Sequence, residues 1–209
     1  MGIDYPLAWN ESYIRKGQQW RGPFQYSKFE KSLELGGKVL ELGSGDGNSA
    51  SQLLALSDEI TCLDIAVSSF RTLPMKELAM PKIVGDARML PLKAGGFSTV
   101  ICRHVLTHAR HGDSLLILKE VRRILAKNGT ALIEVFTPND MRFGKGQEVE
   151  PNTFLRGDNL IWRFYTEEEL TGLAEKAGLK VQRVEVLAKM VRHDGVEHQR
   201  ESVVVVASA

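Results

Sequence analysis

Three glycines on alternate positions, Gly43, Gly45 and Gly47, follow the short apolar run Val39-Leu-Glu-Leu42. Such a turn lets main-chain N–H groups approach a ligand, because no Cβ blocks the way. Two carboxylates close the next apolar runs. Asp64 ends Glu59-Ile-Thr-Cys-Leu-Asp64 and lies 21 residues past Gly43 (64 − 43), near the ~20 of a carboxylate that holds a ribose diol. Asp86 ends Lys82-Ile-Val-Gly-Asp86. His104 and His108 follow Phe97-Ser-Thr-Val-Ile-Cys-Arg103 and are spaced i, i+4. Either could take a proton from a nucleophile near neutral pH; packing or capping is the alternative for each. With His111 and Asp113 they also suggest a metal, but no third ligand joins them on one face, so no metal is expected.

These residues need a sheet to gather them. Val39–Leu42 reads as a buried strand, and Ala50, Leu53, Leu54 and Leu56 read as one face of a helix after the glycines. Further strands are expected at 59–64, at 82–86, from Phe97, and after the turn Asn128-Gly129, with a helix from Leu115 before that turn. Thr166-Glu-Glu-Glu caps a helix to Ala177, where Gly178 stops it. Two final strands, about Lys180–Leu187 and Ser202–Ala207, would pair antiparallel around 192–198. A dinucleotide fingerprint would place its third glycine at position 48; here Gly47 comes one residue early and Asn48 stands in its place.

Acid, apolar residue and alternating glycines, then the ordered acids Asp64 and Asp86, resemble the class I (seven-strand, Rossmann-like) S-adenosylmethionine (SAM)-dependent methyltransferases of the type 11-like group, over roughly residues 36–209. The resemblance implies a doubly wound, mostly parallel α/β sheet of order 3-2-1-4-5-7-6, with helices on both faces and the last strand antiparallel. It implies SAM as cofactor. Gly43, Ser44, Gly45 and Gly47 would lie under its methionyl and ribose parts, with Glu41 facing the ammonium and sulfonium region. Asp64 would hold the ribose diol, Ile65 would pack on the adenine, and Asp86 with Ala87 would meet the adenine edge. Arg103 would lend backbone to the methionine end. No Asn-Pro-Pro-Tyr motif follows the fourth strand, where Arg103-His-Val-Leu stands instead. That argues against methylation of an exocyclic or side-chain amide nitrogen in the manner using that motif.

At 209 residues the chain suits one such domain, 36–209, behind an N-terminal lead, 1–35. In the lead Tyr5, Trp9 and Tyr13 would share a helix face with Pro6 in its first turn, and Phe24–Leu35 would form a second helix. The lead is a candidate lid or simple packing. Residues 137–165 read as a long irregular connection, which in a compact domain is more often functional than idle. Trp9, Tyr13, Trp20, Trp162 and Tyr165 are expected to wall the acceptor pocket there, and Arg142, Arg156 and Arg163 to meet an anionic acceptor.

A net charge of +1 gives no global basic field, which disfavours nucleic acid, and one catalytic domain with no added RNA-binding module favours a small-molecule acceptor. A protein or RNA methyltransferase and a non-catalytic SAM-binding subunit stay open as alternatives. The early third glycine and Gly85-Asp86 count against a nicotinamide-dependent oxidoreductase. Without a signal-peptide pattern or an ~18-residue apolar run, a cytoplasmic protein is expected, with Cys62 and Cys102 as reduced core residues about two strand spacings apart.

Overall fold

The computed structural model describes residues 4–19, 26–33, 35–72, 75 and 79–209. A seven-stranded sheet organises it. Its strands are β1 (Val39–Leu42), β2 (Ile60–Asp64), β3 (Lys82–Val84), β4 (Phe97–Arg103), β5 (Leu125–Phe136), β9 (Lys180–His193) and β10 (Val196–Ser208). Their order is β3-β2-β1-β4-β5-β10-β9, with β10 antiparallel to both neighbours and the pairs from β3 to β5 parallel. This is the expected doubly wound sheet.

Strand alternation sends the apolar side chains to two cores. Leu40, Leu42, Val100, Cys102, Ile133 and Val205 pack on one face, toward α3 (His111–Ile124) and α4 (Glu167–Lys176). Val39, Ile101, Leu132 and Val204 pack on the other, with Leu53 of α2 (Asn48–Leu53) and with Phe29 and Leu33. Central strands covered on both sides read as continuous apolar runs, and β1 is buried at all four positions. Cys62 and Cys102 are buried thiols on β2 and β4, kept apart by β1. Thr166 Oγ1 accepts from Glu169 N at 3.2 Å and caps α4. No described helix is long and apolar enough to cross a membrane.

Three regions differ from expectation. The connection 137–165 carries a second antiparallel sheet, β6 (Gln147–Glu150), β7 (Thr153–Leu155) and β8 (Ile161–Arg163). Strands of three or four residues are too short to show period-two alternation among turn residues. Where a second N-terminal helix was expected, the described residues form two single turns of 3₁₀ helix, Tyr26–Lys28 and Glu30–Ser32. The β9–β10 hairpin is longer than expected and turns at Asp194-Gly195, both at positive φ, as a tight two-residue hairpin requires.

Helix α1 (Tyr5–Lys16) runs over the carboxyl end of the sheet. Asp4 Oδ1 accepts from Leu7 N at 3.0 Å and caps it, with Pro6 in the first turn. Asn10 Oδ1 accepts from the Ser68 hydroxyl at 2.7 Å and from its N–H at 3.0 Å. Lys16 Nζ meets Asp158 at 2.7 Å, and the Tyr5 hydroxyl donates to Asp113 at 3.2 Å.

Candidate active site

A cavity of about 480 Å³ opens at the carboxyl ends of β1, β2, β4 and β5, under α1 and beside the β9–β10 hairpin. Ligands of doubly wound sheets sit at this edge. One end is built from main chain. Gly43 turns at φ +69°, and a Cβ there would stand 2.4 Å from the Val105 side chain. Gly47 (φ +82°) packs against Met75, whose backbone would lie 3.1 Å from an added Cβ. The loop is then tied to β2: Gly45 N donates to Asp64 Oδ2 and Ala66 N to Asp64 Oδ1, each at 2.8 Å. Asp64 therefore braces the loop as well as lining the cavity, and each oxygen keeps a further lone pair for a hydroxyl. Burial pushes its pKa up to about 6.

Glu41 and Glu134 flank Arg103 with opposite outcomes. Arg103 Nε bonds Glu134 Oε2 at 2.6 Å and Nη1 bonds Ser49 Oγ at 2.5 Å. Glu134 also accepts from the Ser202 hydroxyl at 2.8 Å. Burial opposes its charge, but Arg103 and these bonds prevail and hold Glu134 down to about 2. Glu41 is equally buried, and there burial outweighs Arg103, whose cation is committed to Glu134; its pKa rises to about 8. Glu41, kept protonated near neutral pH by burial, can give up that proton when a cation is brought beside it, and Asp64 lines the same cavity. SAM brings an α-ammonium and a sulfonium, so the donor set fits the expected cofactor.

Where the resemblance would place the adenine, Asp86 is held by its neighbour Arg88. The Arg88 Nη2–Asp86 Oδ2 contact is 2.6 Å and both Arg88 Nε–Asp86 contacts are 3.0 Å. The guanidinium keeps the Asp86 carboxyl below its usual range against a partly opposing burial. Asp86, Ala87 and Arg88 all line the cavity with Ile65, and Arg88 lies 5.1 Å from the Tyr5 ring centroid.

The other end of the cavity is aromatic. Trp9 and Tyr13 of α1 line it with His104, His108 and Phe136. His104 sits at φ +59°, a strained backbone for a non-glycine, and its ring stacks on Phe136 at 4.0 Å between centroids. His108 Nδ1 lies 2.7 Å from the Ile161 carbonyl, which can only accept, so Nδ1 carries the proton. Its ring meets Trp9 and Trp162 edge-on at 4.7 and 4.9 Å. Burial drives the two histidines down to about 3 and 4, so both are neutral imidazoles at physiological pH.

The expected residues therefore divide. Glu41, Gly43, Ser44, Asp64, Ile65, Asp86, Ala87, Arg103, His104, His108, Trp9 and Tyr13 line one cavity. Gly45 and Gly47 shape its loop from behind. Trp162 and Arg142 stand behind Phe136: Trp162 is nearly parallel to it at 5.9 Å, and the Arg142 guanidinium lies 4.4 Å from its centroid. Tyr165 does not reach the cavity. It is fully buried, donating to the Leu106 carbonyl at 3.0 Å and sharing a 2.7 Å bond with Ser114 Oγ. Arg163 is also buried, pairing with Glu169 and standing 3.7 Å from Glu150. Trp20 lies outside the described residues. The Arg103 side chain is a brace between Glu134 and Ser49, which the expected backbone role did not include. Sequence reading missed Arg88 and Glu134. An acid inside the apolar run Ala131-Leu-Ile-Glu-Val-Phe136 was the available signal for Glu134.

A methyltransferase-domain family profile matches residues 11–184. A human tRNA N(3)-cytidine methyltransferase is 26% identical over 163 residues, 70% of this chain and 43% of the relative. A Drosophila melanogaster tRNA N(3)-methylcytidine methyltransferase is 27% identical over 161 residues, 70% of this chain and 50% of the relative. The chain thus spans about half the length of these curated relatives, or less. In fold it is similar to the crystal structure of a SAM-dependent methyltransferase from Methanosarcina mazei, with TM-score 0.70 and 18% identity, covering 89% of this chain and 98% of the other. The relatives overturn the expectation of a small-molecule acceptor with nucleic acid disfavoured. Net charge is a sum over the whole surface, and a chain near neutrality can still gather cations at one place. The profile spans most of the chain, and by it this chain belongs to the SAM-dependent methyltransferase domain family.

Proposed function

We propose that this domain transfers the methyl group of SAM to a ring nitrogen of a cytosine base in RNA. The observation that carries the reading is that curated relatives from human, Drosophila, chicken and cattle, each matched over 68–70% of this chain, bear the name of tRNA cytidine N(3) methylation. The chemistry of the cavity supports it. SAM supplies an electrophilic methyl on a sulfonium. The cytosine N3 lone pair lies in the ring plane and carries no proton near neutral pH. The N–C bond forms as the C–S bond breaks, the bonding pair stays on sulfur, and the positive charge passes to the base. No base is needed for that step, so alignment and exclusion of water carry the catalysis.

His104 and His108 then serve as a neutral wall rather than as proton acceptors, in keeping with their depressed pKa values. A base must leave its stack to be reached. Phe136, Trp9 and Tyr13 offer flat apolar surfaces for it, and α1 acts as the cover of residues 1–35 over the domain 36–209. The absence of the Asn-Pro-Pro-Tyr motif agrees with an endocyclic nitrogen. The test is to incubate the full chain with methyl-labelled SAM and unmodified tRNA transcripts, then digest to nucleosides. Label in 3-methylcytidine is the expected result. Label confined to another base, or none in RNA under conditions where SAM is bound, overturns the reading.

A further inference from the structure

Three guanidiniums converge behind the aromatic end of the cavity. Arg142 Nη1 lies 3.1 Å from Asp140 Oδ1, and Arg200 Nε lies 3.2 Å from Asp140 Oδ2. Arg156 Nη2 donates to the Arg142 main-chain carbonyl at 2.9 Å. They come from three separate segments: the turn after β5, the loop after β7, and β10. A shared aromatic floor holds them. The Arg156 guanidinium lies 3.8 Å from the Trp162 centroid, Arg142 lies 4.4 Å from Phe136, and Arg200 lies 5.8 Å from Phe136.

Charge is not balanced there. Asp140 is the carboxylate that touches Arg142 and Arg200, and it is fully buried beneath both, also accepting from Glu201 N at 3.0 Å. Asp158 faces Arg156 but is already paired with Lys16 at 2.7 Å. The Arg156 Nε–H is shielded from solvent and has no hydrogen-bond partner among the described residues. Burial and the neighbouring Arg200 and Arg156 cations push Arg142 down to about 10. An arginine pressed that way is relieved by an anion. Planar forks on aromatic faces suit phosphate oxygens, which they can meet in pairs. Arg200, Asp140 and Phe136 line the same cavity as His104, while Arg142 and Arg156 adjoin it on the Phe136 and Trp162 rings, so an anion held across the three lies at the edge of the aromatic end.

We propose that Arg142, Arg156 and Arg200 form a phosphate-binding subsite that takes the phosphate adjoining the acceptor base. The choice of an RNA phosphodiester as its source rests on the RNA reading above; the subsite itself rests on the geometry of the three arginines. A free nucleotide monophosphate shares the chemistry. Phosphate contacts position a nucleic acid and carry no sequence information, so the subsite fixes register while the cavity reads the base.

The experiment has two arms on the full chain. In the first, inorganic phosphate is titrated at constant ionic strength and the rise in melting temperature is read. The wild type should rise, and Arg156→Gln should weaken phosphate about tenfold to a hundredfold, the effect of one charge-assisted bond. Arg156 is the variant of choice because its recorded hydrogen bond is to a main-chain carbonyl, so its removal strips no buried acid of a partner. Should that variant fail to fold, Arg200→Lys is read instead; it keeps the charge on Asp140, loses the fork, and should still weaken phosphate severalfold. In the second arm a short single-stranded RNA is titrated across salt concentrations. For a phosphodiester source, Arg156→Gln should lower affinity across sequences and reduce the salt slope by about 0.7. A phosphate response with no change in RNA binding assigns the subsite to a free nucleotide and counts against the RNA reading alone. RNA binding with no phosphate response in the wild type, or an equal response in wild type and the folded variant, overturns the subsite and leaves the RNA reading standing.

Discussion

The two ends of the cavity are made of different material. The end proposed for SAM is main chain and acids from one stretch: Glu41, the Gly43–Gly47 loop and Asp64, joined by bonds of 2.8 Å from Gly45 and Ala66. The acceptor end is side chains from α1, β5, the 137–165 insertion and the β9–β10 hairpin. A strand, a turn and a helix position the first locally. Only tertiary packing positions the second. The first can thus be written in a short motif, and the second can be re-specified by changing a few side chains on remote elements.

The largest effect that separates the ends should come from the loop. Gly43→Val puts a branched side chain at φ +69° and drives its Cβ to 2.4 Å from Val105. Positive φ alone costs about 1–3 kcal/mol in a non-glycine residue, more when β-branched. Adding the collision, SAM affinity by calorimetry should fall about a hundredfold or more. RNA or phosphate binding at the other end should move little, since the collision falls on Val105 and not on the aromatic or arginine side chains there. Parallel loss of both would show the ends to be one cooperative unit.

Legibility in the sequence follows the same division. The five parallel strands were readable because buried parallel strands are apolar runs, and Gly43, Asp64 and the Gly85-Asp86 pair follow three of them. Asp194-Gly195 marks the hairpin turn, but the strands flanking it outrun the sheet. Their exposed ends, with Lys189, Met190, Arg192 and Glu197, carry no apolar alternation to reveal them. The aromatics of 137–165 were visible as types, not as places. Trp162 lies two positions from Phe164 and three from Tyr165, yet Trp162 backs Phe136 while the Tyr165 hydroxyl reaches Leu106 and Ser114 in the core. Arg163 and Arg156 read alike in sequence. Burial against Glu169 makes one a brace, and the other stacks on Trp162, where the proposed phosphate subsite includes it.

Titration offers a gentler comparison, because burial moves the two ends in opposite directions. Glu41 and Asp64 are raised to about 8 and about 6. Folding favours their protonated forms, so their contribution is complete below the ordinary carboxylate range and is lost as pH climbs through 6 and then 8. His104 and His108 are lowered to about 3 and about 4. Their contribution is complete above the ordinary imidazole value and is lost as pH falls through 4 and then 3. The SAM-free protein should therefore melt at highest temperature in mildly acid solution. On the alkaline limb one group changes stability by at most ~1.4 kcal/mol per pH unit, or about 3–5 °C in a chain of this size. Glu41→Gln should flatten that limb between pH 6 and 8. An unchanged limb would mean that Glu41 is ionised in the free protein.

The smallest effect concerns the cover, where both ends meet. Lys16 and Asp158 join α1 to the β7–β8 loop across a partly exposed gap, with side chains 44% and 16% exposed. Such a pair contributes about 0.2–1 kcal/mol, and Asn10 with Ser68 and Tyr5 with Asp113 still hold α1 after its loss. Lys16→Ala should leave the melting temperature within about 2–4 °C of wild type. Its consequence should be asymmetric. At the SAM end Tyr5 stays tied to Asp113, so SAM affinity should stay the same. The acceptor end depends on Trp9 and Tyr13 staying in place, so the KM for RNA should rise roughly two- to fivefold, as a bond of that size allows. The same substitution also frees Asp158 to face Arg156 alone, which tightens its hold on that arginine and weakens phosphate in the same direction. A rise in KM for SAM with none for RNA would place the cover over the cofactor instead, and the two ends would trade their dependence on α1.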